Sequence, residues 1–148
     1  MVDRAGIRAA LSETRRHLLS HHTPEEYYRC YAPVVFGHRI RLCARCSGIY
    51  PGIALGLLSA GFGPPPLATL VVVAALPMPA LLDWVATTFT DRRGRNPIRT
   101  ATGGLLGYAY GAGLVGLLVD GDVRILAVGA GYAAVAGALL VAARRANG

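Results

Sequence analysis

The stretch RLCARCSGIYPG, from Arg41 to Gly52, joins a Cys-x-x-Cys pair to the beginning of a glycine-spaced apolar run. Two cysteines at this spacing are typical of a metal-binding turn or of a thiol redox pair. The apolar residues that follow are typical of a membrane helix. The stretch therefore predicts a polar site at the end of a membrane-embedded segment.

The composition of the whole chain also indicates a membrane protein. The 148 residues suffice for one domain, 53% of them are hydrophobic, and the mean hydropathy is +0.44. Only 16% are charged, which is below the roughly 25% of soluble domains. The net charge of +7 comes from arginines that cluster between apolar runs. This pattern disfavours nucleic acid as a partner and favours the lipid bilayer.

Four apolar stretches could lie in a bilayer. They cover residues 48–62, 67–88, 101–119 and 123–143. The last three approach the ~20 residues that a spanning helix needs. The first is short, and it could begin earlier, at the cysteines, or be tilted or re-entrant. The sequence therefore predicts an all-α membrane protein with a bundle of four transmembrane helices.

The residues before the first span form a separate polar segment. Ile7, Leu11, Leu18 and Leu19 recur at helical spacing among arginines, which predicts an amphipathic helix that lies on the membrane or packs on the protein. We expect three regions, which are a segment with this helix and a Cys/His knuckle, the transmembrane domain, and a short tail. They cover residues 1–47, 48–143 and 144–148.

The arginines predict the orientation in the membrane. If all four stretches span, 14 of the 15 arginines lie on one side, and only Arg124 lies on the other. Because positive residues concentrate in cytoplasmic loops, both termini and the loop from Arg92 to Arg95 are expected in the cytoplasm of a cell membrane. The protein would be multi-pass.

Small residues recur at every fourth position in three of the predicted spans. Such rows let helix backbones approach closely within the membrane. They indicate tight packing inside the chain, and homo-oligomer formation through one row is the alternative. The rows are Gly48, Gly52, Gly56 and Ala60, then Gly103, Gly107 and Gly111, then Gly129, Ala133 and Gly137.

Cysteines and histidines cluster before the first span. Cytoplasmic thiols stay reduced, and thiolates with a histidine suit tetrahedral zinc. The predicted zinc ligands are His22, Cys30, Cys43 and Cys46, with His21 or His38 as the alternative histidine. Two other interpretations remain open. Arg41 and Arg45 could lower a thiol pKa and create a redox pair, or the cysteines could be inert packing residues.

A second polar cluster follows the second span. Asp83 lies near the end of that span, and Asn96 and Arg99 open the third. Charges in a membrane usually pair or mark a site, so we expect an ion pair between Asp83 and Arg99. These three residues are the candidate catalytic groups. Residues 25–28 (EEYY) are expected to form a solvated, interfacial face.

Several motifs resemble one known family of small prokaryotic membrane proteins, the domain of unknown function 2085. They are CARCSGIYPG, the upstream HHTPEEYYRC and the later DW…GRNPIRTATGGLLG, which together cover Ser20 to Gly111. The family pattern has an Asp, an Asn and an Arg at the positions of Asp83, Asn96 and Arg99. It commonly has a Cys-His pair where this chain has two histidines, so Cys30 would be the compensating thiol. The resemblance implies a polytopic membrane protein and brings no activity with it.

Three functional hypotheses follow. The leading one is a membrane protein with a cytoplasmic zinc site, which is structural, or catalytic on a lipid head group if one coordination position is open. The second is a thiol-redox enzyme that uses Cys43 and Cys46 on a quinone-type substrate. The third is a small transporter, which has little support because no inverted repeat of broken helices is visible.

Overall fold

The computed structural model describes residues 22–59 and 66–146, which are mostly helical. The predicted amphipathic helix and His21 lie outside these residues. The first described element is a 3-10 helix at Pro24–Arg29. The α-helices are α1 (Ala44–Ser59), α2 (Pro66–Ala75), α3 (Met78–Thr88), α4 (Asn96–Leu118) and α5 (Arg124–Ala146).

A β-ribbon lies between the 3-10 helix and α1. Its strands are β1 (Cys30–Tyr31), β2 (Val34–Val35), β3 (His38–Arg39) and β4 (Leu42–Cys43). β1 pairs with β4 and β2 pairs with β3 in a single antiparallel register. The turn is Phe36-Gly37, and both residues have positive φ, 49° and 77°, as a two-residue hairpin turn requires. The prediction of an all-α protein with a Cys/His knuckle is correct for the helices but did not include this ribbon, because two-residue strands are too short to show an alternating pattern.

Three helical segments are long and apolar enough to cross a membrane. They are Ala68–Thr88, Asn96–Leu118 and Arg124–Arg145, which agrees with the predicted second, third and fourth spans. The first of them is interrupted between α2 and α3, where Pro77 cannot donate its backbone hydrogen bond. The predicted first span corresponds to α1, which has 16 described residues and begins at Ala44. Its start at the cysteines agrees with the earlier beginning considered for that stretch.

The closest packing in the fold joins α1 to α4 through glycine. The two helices run in the same direction, with Gly48 beside Gly104, Gly52 beside Tyr108, and Gly56 beside Ala112. A Cβ atom at Gly52 would collide with the carbonyl oxygen of Gly104. Cβ atoms at Gly103, Gly107 and Gly111 of α4 would be equally close to carbonyl groups of α1. The small-residue rows of α1 and α4 therefore provide the tight packing inside the chain that the sequence predicted.

The fifth helix is packed differently. α5 is mostly exposed, although Ile125 contacts the glycine face of α4 and the Tyr132 hydroxyl donates to the carbonyl of Ala74. A Cβ atom at Gly129 or Gly137 would meet nothing within 4 Å in the described part of the chain. The small-residue row of α5 therefore does not serve the packing of the described helices.

Adding one methyl group should separate the two kinds of glycine row. We expect Gly52→Ala to lower the free energy of unfolding by about 2 kcal/mol or more, because the new Cβ would displace one backbone from another. Gly129→Ala is the matched control, and it should be neutral or slightly stabilising because it only raises helix propensity. Unfolding in detergent micelles, followed by circular dichroism, measures both. Equal effects of the two variants would contradict the close approach of α1 to α4.

Candidate functional site

The three cysteines come together where the ribbon meets α1. Cys30 in β1 lies directly opposite Cys43 in β4, and Cys46 lies in the first turn of α1. Cys30 and Cys43 are buried and Cys46 is half-buried. No disulfide joins the three residues, all of which are described. The antiparallel register brings Cys30 to the Cys-x-x-Cys pair, across the thirteen positions that separate Cys30 from Cys43 in the chain.

His22 reaches the same cluster from the other side of the 3-10 helix. Its Nε2 atom lies 3.4 Å from Cys43 Sγ, and its Nδ1 atom lies 3.1 Å from a carboxylate oxygen of Glu26. The His22 side chain is 11% exposed. His38 lies in β3 next to the turn, at the other end of the ribbon, and is exposed. The structure thus groups His22, and not His38, with the cysteines.

Glu26 has a role in this cluster that the sequence analysis did not assign. It was expected only to contribute to a solvated face. Its carboxylate contacts the ring of His22 on one side and the guanidinium of Arg29, at 3.1 Å, on the other. When a carboxylate accepts a hydrogen bond from one ring nitrogen of a histidine, it keeps the proton on that nitrogen. The other ring nitrogen is then able to bind a metal. The signal that could have identified Glu26 is its position four residues after His22, one helical turn away.

The protonation of Cys46 bears on the redox interpretation. Cys46 precedes the apolar part of α1. Burial raises the pKa of its thiol to about 12, and Cys43 adds to the rise through a hydrogen bond and its charge. Arg45 has the opposite, smaller effect. A nucleophilic redox cysteine needs a low pKa, so the metal-free cluster does not favour Cys46 in that role.

The carboxylate of Asp83 pairs with Arg45, which corrects the expected pair with Arg99. Asp83 lies in α3, and the guanidinium of Arg45 donates to it from the first turn of α1. The backbone of Arg45 is packed against Gly103 of α4, so its side chain extends towards α3. The sequence could not predict this partner, because the approach of α1 to α4 decides which arginine reaches the carboxylate.

Asn96 and Arg99 link the ribbon to the start of α4. The amide of Asn96 donates to the carbonyl of Cys30, at 3.4 Å, and accepts from Arg99, at 3.2 Å. Arg99 also donates to the carbonyl of Arg93. Asp83, Asn96 and Arg99, predicted as catalytic candidates, therefore lie at the same end of the helices, each with a contact to another polar group.

Two residues that the sequence analysis did not select complete this link. Thr100 donates to the carbonyl of Ala44, at 2.8 Å, and its oxygen lies 3.0 Å from the hydroxyl of Tyr31. Ala44 is fully buried. No sequence signal marks Thr100, because a threonine in an apolar helix usually bonds only within its own helix.

Two further features of the described residues bear on the site. In residues 22–59 and 66–146, no group of three or more histidine, cysteine or acidic side chains is arranged to hold a metal ion. An apolar cavity of about 790 Å³ lies between α3, α4 and α5. Among the described residues that line it, Arg45 is the charged one. The cavity therefore meets the polar cluster at the Arg45–Asp83 pair.

Removing the two charges of that pair should show coupling. Arg45→Gln and Asp83→Asn should each destabilise the protein, because each leaves a half-buried charge without its partner. The double variant should be more stable than the sum predicts, by about 1 kcal/mol. Thermal unfolding in detergent of the four proteins measures the coupling, and the cycle of Asp83→Asn with Arg39→Gln, on the exposed ribbon, is the control. Simple additivity for Arg45 and Asp83 would contradict the pair.

Comparisons with known proteins agree with this architecture. Residues 30–112 match a family described as predicted membrane protein, DUF2085. An uncharacterized protein of Methanocaldococcus jannaschii is 28% identical over 97 residues, which cover 62% of this chain and 58% of that protein. The chain thus spans little more than half the length of this relative. No solved structure matches the chain. The family match covers more than half of the chain and includes the ribbon, the cysteine cluster, and α1 with most of α4, so the chain belongs to the DUF2085 family of predicted membrane proteins.

Proposed function

We propose that the protein crosses the membrane four times and that one zinc ion on the cytoplasmic face fastens its N-terminal segment to the bundle. The ligands would be His22, Cys30, Cys43 and Cys46. The observation that carries the proposal is the distance of 3.4 Å between His22 Nε2 and Cys43 Sγ. A nitrogen and a sulfur bound to the same tetrahedral zinc are about 3.5 Å apart, given the usual bond lengths.

The surroundings of His22 also fit a metal ligand. A zinc-bound histidine commonly donates its second ring N–H to a carboxylate, and Glu26 occupies that position. Cys30 and Cys43 face each other across the ribbon, and Cys46 is close enough to Cys43 to interact with it. We expect the three thiols to turn towards a common centre when the metal binds. A zinc ion would supply a cross-link and would stabilise the thiolates.

A structural role fits this ligand set better than a catalytic one. Catalytic zinc keeps one position for water or substrate, whereas four protein ligands close the site. Asp83, the candidate acid or base for a lipid head group, already pairs with Arg45. Burial of Cys46 disfavours the thiolate that the redox alternative would need at this residue. The zinc would therefore hold the ribbon and the residue before the 3-10 helix against α1.

The direction of α1 supports four crossings of the membrane. α1 lies parallel to α4 from Gly48 beside Gly104 to Gly56 beside Ala112, and α4 is one of the three candidate spans. A helix packed along most of a span shares its depth in the bilayer. The arginines of the ribbon and of the loop before α4 then lie on one side, which the positive-inside rule makes cytoplasmic.

The zinc proposal predicts a metal content and its loss. Protein purified without chelator should carry about one zinc per chain by elemental analysis, since a four-ligand site closes around one ion. Cys30→Ser, Cys43→Ser, Cys46→Ser and His22→Asn should each lose most of it. Because thiolates must be deprotonated to bind, mild acid should also release the ion and increase hydrogen exchange in the ribbon.

The control is His38→Asn, an equivalent change on the exposed part of the ribbon, which should retain the metal. Zinc retained after His22→Asn and lost after His38→Asn would show that the ligand set is wrong. Metal-free protein in which Cys43 and Cys46 form a reversible disulfide would replace the zinc proposal by the redox alternative.

The four-crossing topology predicts the sides of two tags. A reporter after Gly148 should lie in the cytoplasm, and a reporter inserted in the uncharged sequence GFGPP, at residues 61–65, should lie on the opposite side. Accessibility to a membrane-impermeant label in intact cells measures both. Two reporters on the same side would rule out a crossing by α1.

A further inference from the structure

Three arginines converge on one tyrosine beside the cysteine cluster. The guanidinium carbons of Arg29, Arg93 and Arg99 lie 5.4, 5.5 and 5.6 Å from the centre of the Tyr28 ring. They come from three separate places, which are the 3-10 helix, the loop between α3 and α4, and the first turn of α4. A single ring face can attract one cation well, but it does not offset the mutual repulsion of three.

The carboxylates of the described residues leave most of this charge without a partner. Glu26 contacts Arg29 at 3.1 Å, and Asp83 is held by Arg45. In the described ranges no ion pair involves the guanidinium of Arg93 or that of Arg99. Arg99 donates hydrogen bonds to two neutral oxygens, the side-chain oxygen of Asn96 and the backbone carbonyl of Arg93. The cluster therefore carries more positive charge than the described carboxylates balance.

Arg99 is the member whose position most requires an anion. It is only 4% exposed, and a buried charge without a counter-charge is costly. It lies in the first turn of α4, where no acidic residue is present and the helix dipole is positive. Arg29 and Arg45 repel the charge of Arg99 as well. Asp83 attracts this charge, but from farther away than the partner in a direct ion pair.

We propose that Arg29, Arg93 and Arg99 form a binding site for a phosphate group at the exposed side of the Tyr28 ring. Guanidinium groups bind phosphate oxygens through paired hydrogen bonds. Tyr28 is 39% exposed, so a phosphate group can reach it from the solvent. The site lies where α4 begins, at the end of a candidate span, so the head group of a phospholipid and free phosphate are the two sources. It stands apart from the zinc proposal, because none of its side chains is a proposed ligand.

The experiment uses the full chain in a neutral maltoside detergent, titrated with three probes. Dihexanoyl phosphatidic acid carries the phosphate on a lipid, inorganic phosphate carries it alone, and dihexanoylglycerol has the same acyl chains without it. A ligand that binds the folded state raises the unfolding temperature in a saturable way. We expect this for phosphatidic acid and not for dihexanoylglycerol.

The variants test the three arginines against the charge of the surface in general. Arg93→Gln should weaken the apparent affinity about tenfold, as the loss of one charge-assisted contact does. Arg92→Gln is the matched control, since it removes the same charge from the adjacent exposed position, and it should change the affinity less than about twofold. Arg99→Gln should weaken binding at least as much as Arg93→Gln. If it fails to fold, Arg93→Gln still provides the test.

The affinities of the two phosphate probes decide whether the site exists and which ligand it binds. If phosphatidic acid binds more tightly than inorganic phosphate, the ligand is a lipid head group. If the two bind equally, the ligand is free phosphate. Either result supports the site. The absence of a saturable shift with either phosphate probe would overturn it. An equal loss of affinity in Arg92→Gln and Arg93→Gln would also overturn it, because the attraction would then belong to the surface as a whole.

Discussion

The backbone contact between α1 and α4 is the interaction on which the rest of the structure depends. Its glycines place the peptide groups of one helix against those of the other. Within a membrane, close packing of this kind replaces the hydrophobic driving force that holds soluble helices together. It also fixes the register, because sliding α1 by one residue would bring the branched side chain of Ile49 or Ile53 to the position of a glycine.

That register determines the geometry of the polar end. With Gly48 beside Gly104, the carbonyl of Ala44 meets the hydroxyl of Thr100, and the ribbon that leads into α1 lies over the start of α4. Cys30 is then held by Asn96, and Tyr31 by Thr100. Zinc would add a cross-link within a segment that already contacts α4, so its free energy of binding would stabilise a preformed arrangement.

The sequence predicted the elements of the fold better than it predicted their contacts. The apolar runs identified the three spans, the glycine rows identified close packing, and the spacing of Cys43 and Cys46 with Cys30 identified the cluster. The ribbon was missed because its strands have two residues each, and the partner of Asp83 was wrong because it depends on tertiary packing. Glu26 and Tyr28 were assigned to a solvated face. The spacing of four residues between His22 and Glu26 was a signal for Glu26, whereas nothing in the local pattern shows that three arginines converge on Tyr28.

The two sides of the bundle differ in how tightly their helices pack. α1 and α4 are joined backbone to backbone, whereas α5 is mostly exposed and borders an apolar cavity with α3 and α4. A helix that is apolar on all faces and has few contacts in its own chain requires lipid or another apolar surface around it. The cysteine cluster and the arginines around Tyr28 contact the 3-10 helix, the ribbon, α1 and the start of α4. Their geometry is therefore independent of how α5 is covered, because none of these contacts passes through it.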